Sequence, residues 1–410
     1  MLPRRHINPP GHWRLGLKFA NNSQGIVCNK MIFVAGQVDL DERTQLRHRG
    51  DLGGQATGAM EYVGRVLAGA GADMADLVKL TVFYATDGSV NEDDLLRHLA
   101  GCLGPMAGPG PAVTAIPLPS LAYPGMLIEI EGIAMRHPNG QRLPRAAAWS
   151  PDLSRLPVPF SQALRCEELI FTSCASARDG QGMIMDPDDI AAQSYVMLRR
   201  LNQLLGQLGA DLEDVVKINL FNVDGGTKAS WEQPALIRAG HYREPGPAAT
   251  GLSLPKLWPD GIMTKNDVIA MRGVDGRRLP RSHVWPDGHW DWTVHLPYRH
   301  GLRCGDLVFL GGQVPLAPDA AVLASGDMVA QTKIAMDYIG RILGELGLGF
   351  GHVVKVNSFY TGDAGEEVLR PNAETRFSYF PAKGPTSTGV PVPNLAYEGM
   401  LTEIDIIAIV

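Results

Sequence analysis

Residues 76–84 read DLVKLTVFY, and similar stretches follow at 214–222 (DVVKINLFN) and 352–360 (HVVKVNSFY). The three stretches start 138 residues apart, at positions 76, 214 and 352. Their apolar and β-branched residues are typical of a buried strand. A fixed period of this length, found three times in 410 residues, indicates one structural unit copied in tandem.

Segments rich in turn-forming residues separate the three units. They read HPNG at 137–140 and GVDG at 273–276, and both combine glycine with proline, asparagine or aspartate. We therefore predict domains at residues 1–138, 139–275 and 276–410.

Each unit shows the same order of predicted elements around the repeated strand. An apolar run of strand length comes first, followed by a helix with apolar residues at helical spacing, such as Met328, Ala335 and Ile339. The repeated strand, a second helix and a last strand follow. This order predicts an α+β fold in which helices cover one face of each sheet. The other faces also need covering, which predicts three units packed around a pseudo-threefold axis as a single-chain pseudo-trimer.

Composition limits the classes of function. Apolar residues make up 45% of the chain and the net charge is −6, so each unit can bury a core and a nucleic-acid partner is not expected. No apolar run approaches the roughly 18 residues of a membrane span, and the first residues lack the apolar segment of a signal peptide. We therefore predict a cytoplasmic protein with no membrane partner. No phosphate-loop or dinucleotide motif occurs, and the histidine spacings match no zinc pattern, so we predict no cofactor and no metal.

The order and spacing of these motifs resemble the Rid (YjgF) family. Rid proteins have a chorismate-mutase-like fold and form homotrimers with a pocket at each subunit interface, and many hydrolyse reactive imines or enamines with release of ammonia. The resemblance therefore implies three tandem Rid-like domains with small-molecule sites between them. The segments that carry it are 32–37 and 308–313 (strand and turn), 76–83 and 214–221 (repeated strand) and 127–134 (last strand).

One position of the Rid pocket differs in all three units. The family places an arginine after a Pro-Ala pair, where it holds the substrate carboxylate through two hydrogen bonds. The matching positions here are Val113, Ala249 and Ser387. The loss of this arginine argues against a simple 2-imino acid as the substrate.

The resemblance also implies an acidic residue in the last strand. This position falls on Glu129 and Glu403, and such a glutamate can deprotonate an attacking water. The alternative for both is a surface-facing strand residue. Unit two has Lys265 instead, which is either a ligand for a substrate carboxylate or a solvated strand residue.

Two further sets of positions complete the implied pocket. Threonines follow the missing arginine, and their hydroxyls could bond substrate, water or the local backbone of the turn. They are Thr114, Thr250 and Thr388. The aromatic wall of the family pocket falls on Asn22, Phe160 and Tyr298. Because these three side chains differ, the interface pockets cannot be equivalent, and we predict one or two working sites.

These residues favour a cofactor-free hydrolase or deaminase acting on a small imine, enamine or related C–N compound, with Glu129 or Glu403 as the base. Two alternatives remain open. One is a chorismatase-like hydrolysis of an enol ether, and the other is a non-catalytic small-molecule-binding or chaperone-like protein. The sequence makes no prediction about further association of the single-chain trimer.

Overall fold

The structure is a computed structural model that describes residues 2–17 and 21–410, and in these ranges it contains three six-stranded sheets of one design. Unit one contains β1 (Arg4–Ile7), β2 (Gly25–Cys28), β3 (Met31–Gln37), α1 (Leu52–Ala70), β4 (Leu77–Ala85), α2 (Glu92–Leu103), β5 (Ala112–Leu118) and β6 (Ile128–Met135). Unit two contains β7 (Arg145–Ala148), β8 (Ala163–Cys166), β9 (Leu169–Thr172), α3 (Ile190–Gln207), β10 (Val215–Val223), α4 (Lys228–Ala239), β11 (Ala248–Leu254) and β12 (Thr264–Met271). Unit three contains β13 (Arg281–Val284), β14 (Gly301–Cys304), β15 (Leu307–Leu310), α5 (Met328–Glu345), β16 (Val353–Thr361), α6 (Glu366–Phe377), β17 (Thr386–Val392) and β18 (Thr402–Ile409).

The repeated stretch forms β4, β10 and β16. In unit one the strand order is β1-β2-β3-β6-β4-β5, and units two and three repeat it. β4 pairs antiparallel with β6 and parallel with β5, and nearly all of its residues are buried. Burial on both faces explains why this strand is apolar at most positions, with Lys79 and Thr81 as exceptions, and does not alternate. The predicted α+β fold with three tandem copies is confirmed.

Helix α1 shows how the local sequence sets the bounds of an element. The Asp51 side chain accepts a hydrogen bond from the Gly54 N–H and caps the start of the helix. Gly71 ends it in the left-handed conformation, with φ of 78°, which glycine adopts at little cost. Ala59 and Val63 on its buried face pack into the core of unit one, so the helix covers one face of its sheet. No helix in the described ranges is long and apolar enough to cross a membrane.

The opposite faces of the three sheets pack against each other. Phe33, Phe171 and Phe309, one from each unit, belong to a single buried apolar cluster. A cysteine of each unit is buried in the same cluster, and all three are free thiols: Cys28, Cys166 and Cys304. Apolar burial therefore joins the units without a disulfide among these residues.

Buried ion pairs connect the units in a closed ring. In each, the lysine of the repeated strand reaches an acidic residue of another unit's last strand. The pairs are Lys79–Asp267 at 2.9 Å, Lys217–Asp405 at 3.0 Å and Lys355–Glu131 at 2.7 Å. Unit one thus contacts unit two, unit two contacts unit three, and unit three contacts unit one.

Replacing Lys79 with methionine is expected to lower the free energy of unfolding by about 3–5 kcal/mol, because it leaves the buried Asp267 without its cation. The Lys79 ammonium also donates to the Thr114 hydroxyl at 2.7 Å and the Thr172 carbonyl at 2.6 Å. Urea unfolding measures the loss. Adding Asp267→Asn to the Lys79→Met variant is expected to recover part of it. A Lys79→Met protein as stable as the native chain would contradict this role.

Candidate active site

Matching positions at two of the interfaces between units each form a partly open cavity with a volume of about 50 Å³. Cavity A lies between units two and three, and cavity B lies between units three and one. A space of this size holds a few waters. Each cavity brings together polar side chains that lie far apart in the chain.

An arginine from the second helix of unit two lines cavity A. Arg238 lies on the buried face of α4 and is only 1% exposed. Its Nη1 donates to Asn222 Oδ1 at 3.0 Å, and its Nε has no protein partner. The Tyr298 hydroxyl lies beside this guanidinium and interacts with it electrostatically, but the two groups do not have the geometry of a hydrogen bond. Cavity A therefore offers unpaired donors next to a buried positive charge.

Unit three supplies cavity B with an arginine from the same place in its fold. Arg376 lies on α6, is 1% exposed, and donates from Nη1 to the Ser387 hydroxyl at 2.7 Å. Burial lowers the pKa of Arg376 to about 10, so it remains a cation at neutral pH. Its Nε has no protein partner.

These two helix residues bring a guanidinium near the positions where the family arginine is missing. Ala249 lines cavity A beside Arg238, and Ser387 binds Arg376, so a guanidinium reaches the expected region from another element. The sequence contained a signal for them. Arg238 and Arg376 lie one repeat apart, and each extends the buried face of the second helix of its unit, where a charge is rare.

Each cavity also contains a buried glutamate from the last strand of the other unit. Glu403 on β18 lines cavity A and Glu129 on β6 lines cavity B, with exposures of 4% and 6%. Neither is a surface-facing strand residue. Burial raises the pKa of both carboxyl groups to about 8, helped by Asp405 beside Glu403 and Glu131 beside Glu129. Both are therefore largely protonated at pH 7 and can donate a proton as well as take one.

Glycines make room for these two carboxyl groups. A Cβ atom at Gly312 would lie 1.8 Å from Glu403 Oε1, and one at Gly36 would lie 1.9 Å from Glu129 Oε1. In unit two the matching residue is Cys174, and there a lysine takes the place of the glutamate. Glycine at this position is thus a local requirement for placing the glutamate in the cavity.

The closed ring of units decides which residues share a site. Arg238 of unit two meets Glu403 of unit three, and Arg376 of unit three meets Glu129 of unit one. Each arginine therefore shares a cavity with a glutamate. The remaining interface combines α2, whose buried face carries no arginine, with Lys265. The helix of unit one lacks the arginine, and the last strand of unit two has a lysine in place of the glutamate. Both differences fall in this third interface.

In the third interface a direct ion pair between protein side chains takes the place of the charged groups of cavities A and B. Lys265 is 3% exposed and bonds both carboxylate oxygens of Glu92, at 2.6 and 2.9 Å. It is neither a solvated strand residue nor free to bind a substrate carboxylate, so the structure supports neither interpretation of Lys265. Phe160, expected as a pocket wall, is 1% exposed and packs in the core of unit one.

The other residues expected at the sites are divided between the cavities and the interior. Tyr298 lines cavity A and Asn22 lines cavity B. None of the three threonines is among the residues that line cavity A or cavity B. The hydroxyls of Thr114 and Thr250 bond Lys79 and Lys217, and the Thr388 hydroxyl is buried without a partner. A contact between these threonines and a substrate stays a prediction.

Aromatic side chains form most of the remaining wall of cavity A. They are Trp231, Trp285, Trp290 and Trp292. His300 lies among them and bonds the Trp290 carbonyl, and burial lowers the pKa of this imidazole to about 3. It is therefore neutral at pH 7, whereas Arg238 and Glu403 are a buried cation and a buried acid in the same cavity. Their electrostatic interactions with a ligand are strengthened there.

Stability is expected to fall with rising pH because of the two buried glutamates. Between their ordinary pKa of 4.5 and the folded value of about 8, the folded state holds protons that the unfolded state has released. Each carboxyl group therefore costs about 1.4 kcal/mol of stability per pH unit in this window. Chemical unfolding at pH 5, 6 and 7 should show this loss, and the Glu129→Gln, Glu403→Gln double variant should show a flatter profile. Parallel profiles would contradict the raised pKa values.

Comparisons with known proteins agree with this architecture. A family model described as Endoribonuclease L-PSP matches residues 17–136, 154–259 and 293–410. Protein DfrA of Myxococcus xanthus is 36% identical over 115 residues, which is 28% of this chain and 85% of that protein. The 2-iminobutanoate/2-iminopropanoate deaminase of Homo sapiens is 26% identical over 114 residues, which is 26% of this chain and 83% of that protein.

A solved structure extends the likeness across the units. The crystal structure of a chorismatase covers 82% of this chain and 93% of its own, with a TM-score of 0.50 and 14% identity, which shows the fold alone. The family model, in contrast, matches each of the three units in turn. The chain therefore belongs to the endoribonuclease L-PSP (Rid, YjgF) family and carries three tandem copies of its domain.

Proposed function

We propose that cavities A and B hydrolyse the C=N bond of small 2-imino acids and release ammonia. One observation carries this proposal: each cavity holds a buried arginine and a buried glutamate whose pKa lies near 8. The deaminase name of the Homo sapiens relative supports the same reaction class. The helix arginines remove the objection raised by the missing family arginine.

The arginine is the carboxylate-binding group in this proposal. In cavity A, the free Nε–H of Arg238 and the free Tyr298 hydroxyl are donors for one carboxylate. In cavity B, Arg376 offers the same Nε–H. Hydrogen bonds between a guanidinium and a carboxylate are charge-assisted, and burial strengthens them further.

The glutamate moves the protons. In cavity A the protonated Glu403 donates its proton to the imine nitrogen, which leaves a carboxylate and an electrophilic iminium carbon. A water adds to that carbon while the Glu403 carboxylate takes one of its protons, giving a carbinolamine. Glu403 then protonates the amine, the C–N bond breaks to release ammonia, and the hydroxyl proton returns to Glu403 as the ketone forms. Glu129 performs the same steps in cavity B, and the pKa near 8 suits both directions of transfer.

The enol-ether alternative has less support than the deaminase. The chorismatase likeness, at 14% identity, supplies only the fold. A binding protein without catalysis is the remaining competitor.

Ammonia release from freshly generated 2-iminopropanoate and 2-iminobutanoate tests the proposal. We expect the native chain to accelerate formation of ammonia and the matching 2-keto acid above the uncatalysed rate. Titration with propionate, an unreactive carboxylate of similar size, measures binding separately. Propionate binding without any acceleration would overturn the deaminase proposal in favour of a binding protein.

A further inference from the structure

The third interface reverses the charges of the two cavities. In cavities A and B the helix supplies the cation and the last strand supplies the acid, as with Arg238 and Glu403. In the third interface the helix supplies Glu92 and the strand supplies Lys265. Glu92 and Lys265 contact each other directly, whereas cavities A and B leave space beside their charged groups.

Glu92 is held as a bound carboxylate would be. One oxygen accepts from Lys265 Nζ at 2.6 Å, and the other accepts from the same ammonium at 2.9 Å and from the Tyr84 hydroxyl at 2.9 Å. The side chains of Glu92 and Lys265 are 9% and 4% exposed. Lys265 and Tyr84 thus form a buried site that donates three hydrogen bonds to one carboxylate.

The helix that carries Glu92 also stabilises the negative charge of its carboxylate. Glu92 is the first residue of α2, directly after the Asn91 cap, where free backbone N–H groups favour a negative charge. The buried faces of α4 and α6 carry no acidic residue. A buried acid on this helix occurs in the one unit whose partner strand supplies a lysine.

We infer that the third interface is a binding site for a small carboxylate whose ligand is the protein's own Glu92. The ligand atoms are the terminal CH2–COO⁻ of that side chain, which has the shape of acetate. Truncating Glu92 at Cβ leaves Lys265 and Tyr84 around a space of that shape. Free acetate should then enter and restore the ion pair, since a buried ammonium without a counter-charge is unfavourable.

Thermal unfolding of Glu92→Ala in sodium acetate and in sodium chloride, at equal ionic strength and pH 7, tests the inference. We expect a lower Tm than that of the native chain in chloride, and a saturable rise of roughly 2 °C or more with acetate. The matched control is Glu92→Ala with Lys265→Met, which should show no acetate-specific rise because the cation is gone. The native chain should show no acetate-specific rise in Tm from this interface. All variants also carry Arg238→Met and Arg376→Met, which remove acetate binding in cavities A and B.

Equal Tm values of Glu92→Ala in the two salts, in that background, would overturn the inference. If Glu92→Ala does not fold in chloride, refolding from denaturant in each salt replaces the melting curve. Recovery of folded protein in acetate alone would support the site, and equal recovery in both salts would refute it. None of these outcomes depends on whether cavities A and B are deaminases.

Discussion

A chain carrying both Glu129→Gln and Glu403→Gln is expected to release ammonia from 2-imino acids about 10²–10⁴-fold more slowly than the native chain. Glutamine keeps the shape of the side chain, and so the space opposite Gly36 and Gly312, but it cannot donate and recover a proton. The double change is needed because cavities A and B each hold one of the two carboxyl groups. Initial rates with 2-iminopropanoate measure the effect.

The single variants and a surface control sharpen this test. Each single glutamine variant should keep the share of activity that belongs to the unchanged cavity. Glu61→Gln alters a carboxyl group on α1 that is 53% exposed and lines neither cavity, so it should keep the full rate. A double variant as fast as the Glu61→Gln control would exclude both glutamates from the chemistry.

Replacing both Arg238 and Arg376 with methionine is expected to lower kcat/KM for 2-imino acids by about 100-fold, or roughly 3 kcal/mol. Methionine fills much of the buried volume but removes the buried guanidinium that the second helix contributes to each cavity. The loss should appear mainly in KM, because the guanidinium binds the substrate carboxylate. An imine without a carboxylate should lose little, and this difference distinguishes binding from general damage.

Arg199→Met is the matched control for the arginine variants, because Arg199 is exposed on α3. Combinations of one arginine and one glutamate change test which residues work together. Arg238→Met with Glu403→Gln damages cavity A alone and should leave cavity B active. Arg238→Met with Glu129→Gln damages one group in each cavity and should abolish most of the activity. Equal rates for these two combinations would contradict the assignment of residues to two separate sites.

Much of the fold could be predicted from the sequence, since its signals are local. The repeat at positions 76, 214 and 352, the strand-length apolar runs and the helical spacing led to three α+β units of the observed design. Glu129, Glu403, Tyr298 and Asn22 were also placed at the cavities by the family resemblance. Glu129 and Glu403 lie at matching positions of β6 and β18, whereas Asn22 and Tyr298 lie outside the strands.

The sequence did not predict the two cavity arginines, because the family resemblance pointed to a single strand position for this residue. None of the residues at this strand position is an arginine; they are Val113, Ala249 and Ser387. The helices that supply the guanidinium were expected only to cover a sheet face. Whether a residue on a helix face points to its own core or to the neighbouring unit depends on how the units pack. The sequence alone did not single out Arg238 and Arg376, and their burial is seen only in the structure.

By itself, the sequence determined the period, the element order and the buried strands, because local periodicity sets which faces of an element are apolar. The family resemblance, and not periodicity, pointed to the two glutamates. Only the tertiary structure decided that Arg238 meets Glu403, that Arg376 meets Glu129, and that Lys265 meets Glu92. Those pairs are residues of different units, more than a hundred positions apart. The closed ring of three packed sheets brings them together, and no local pattern carries that information.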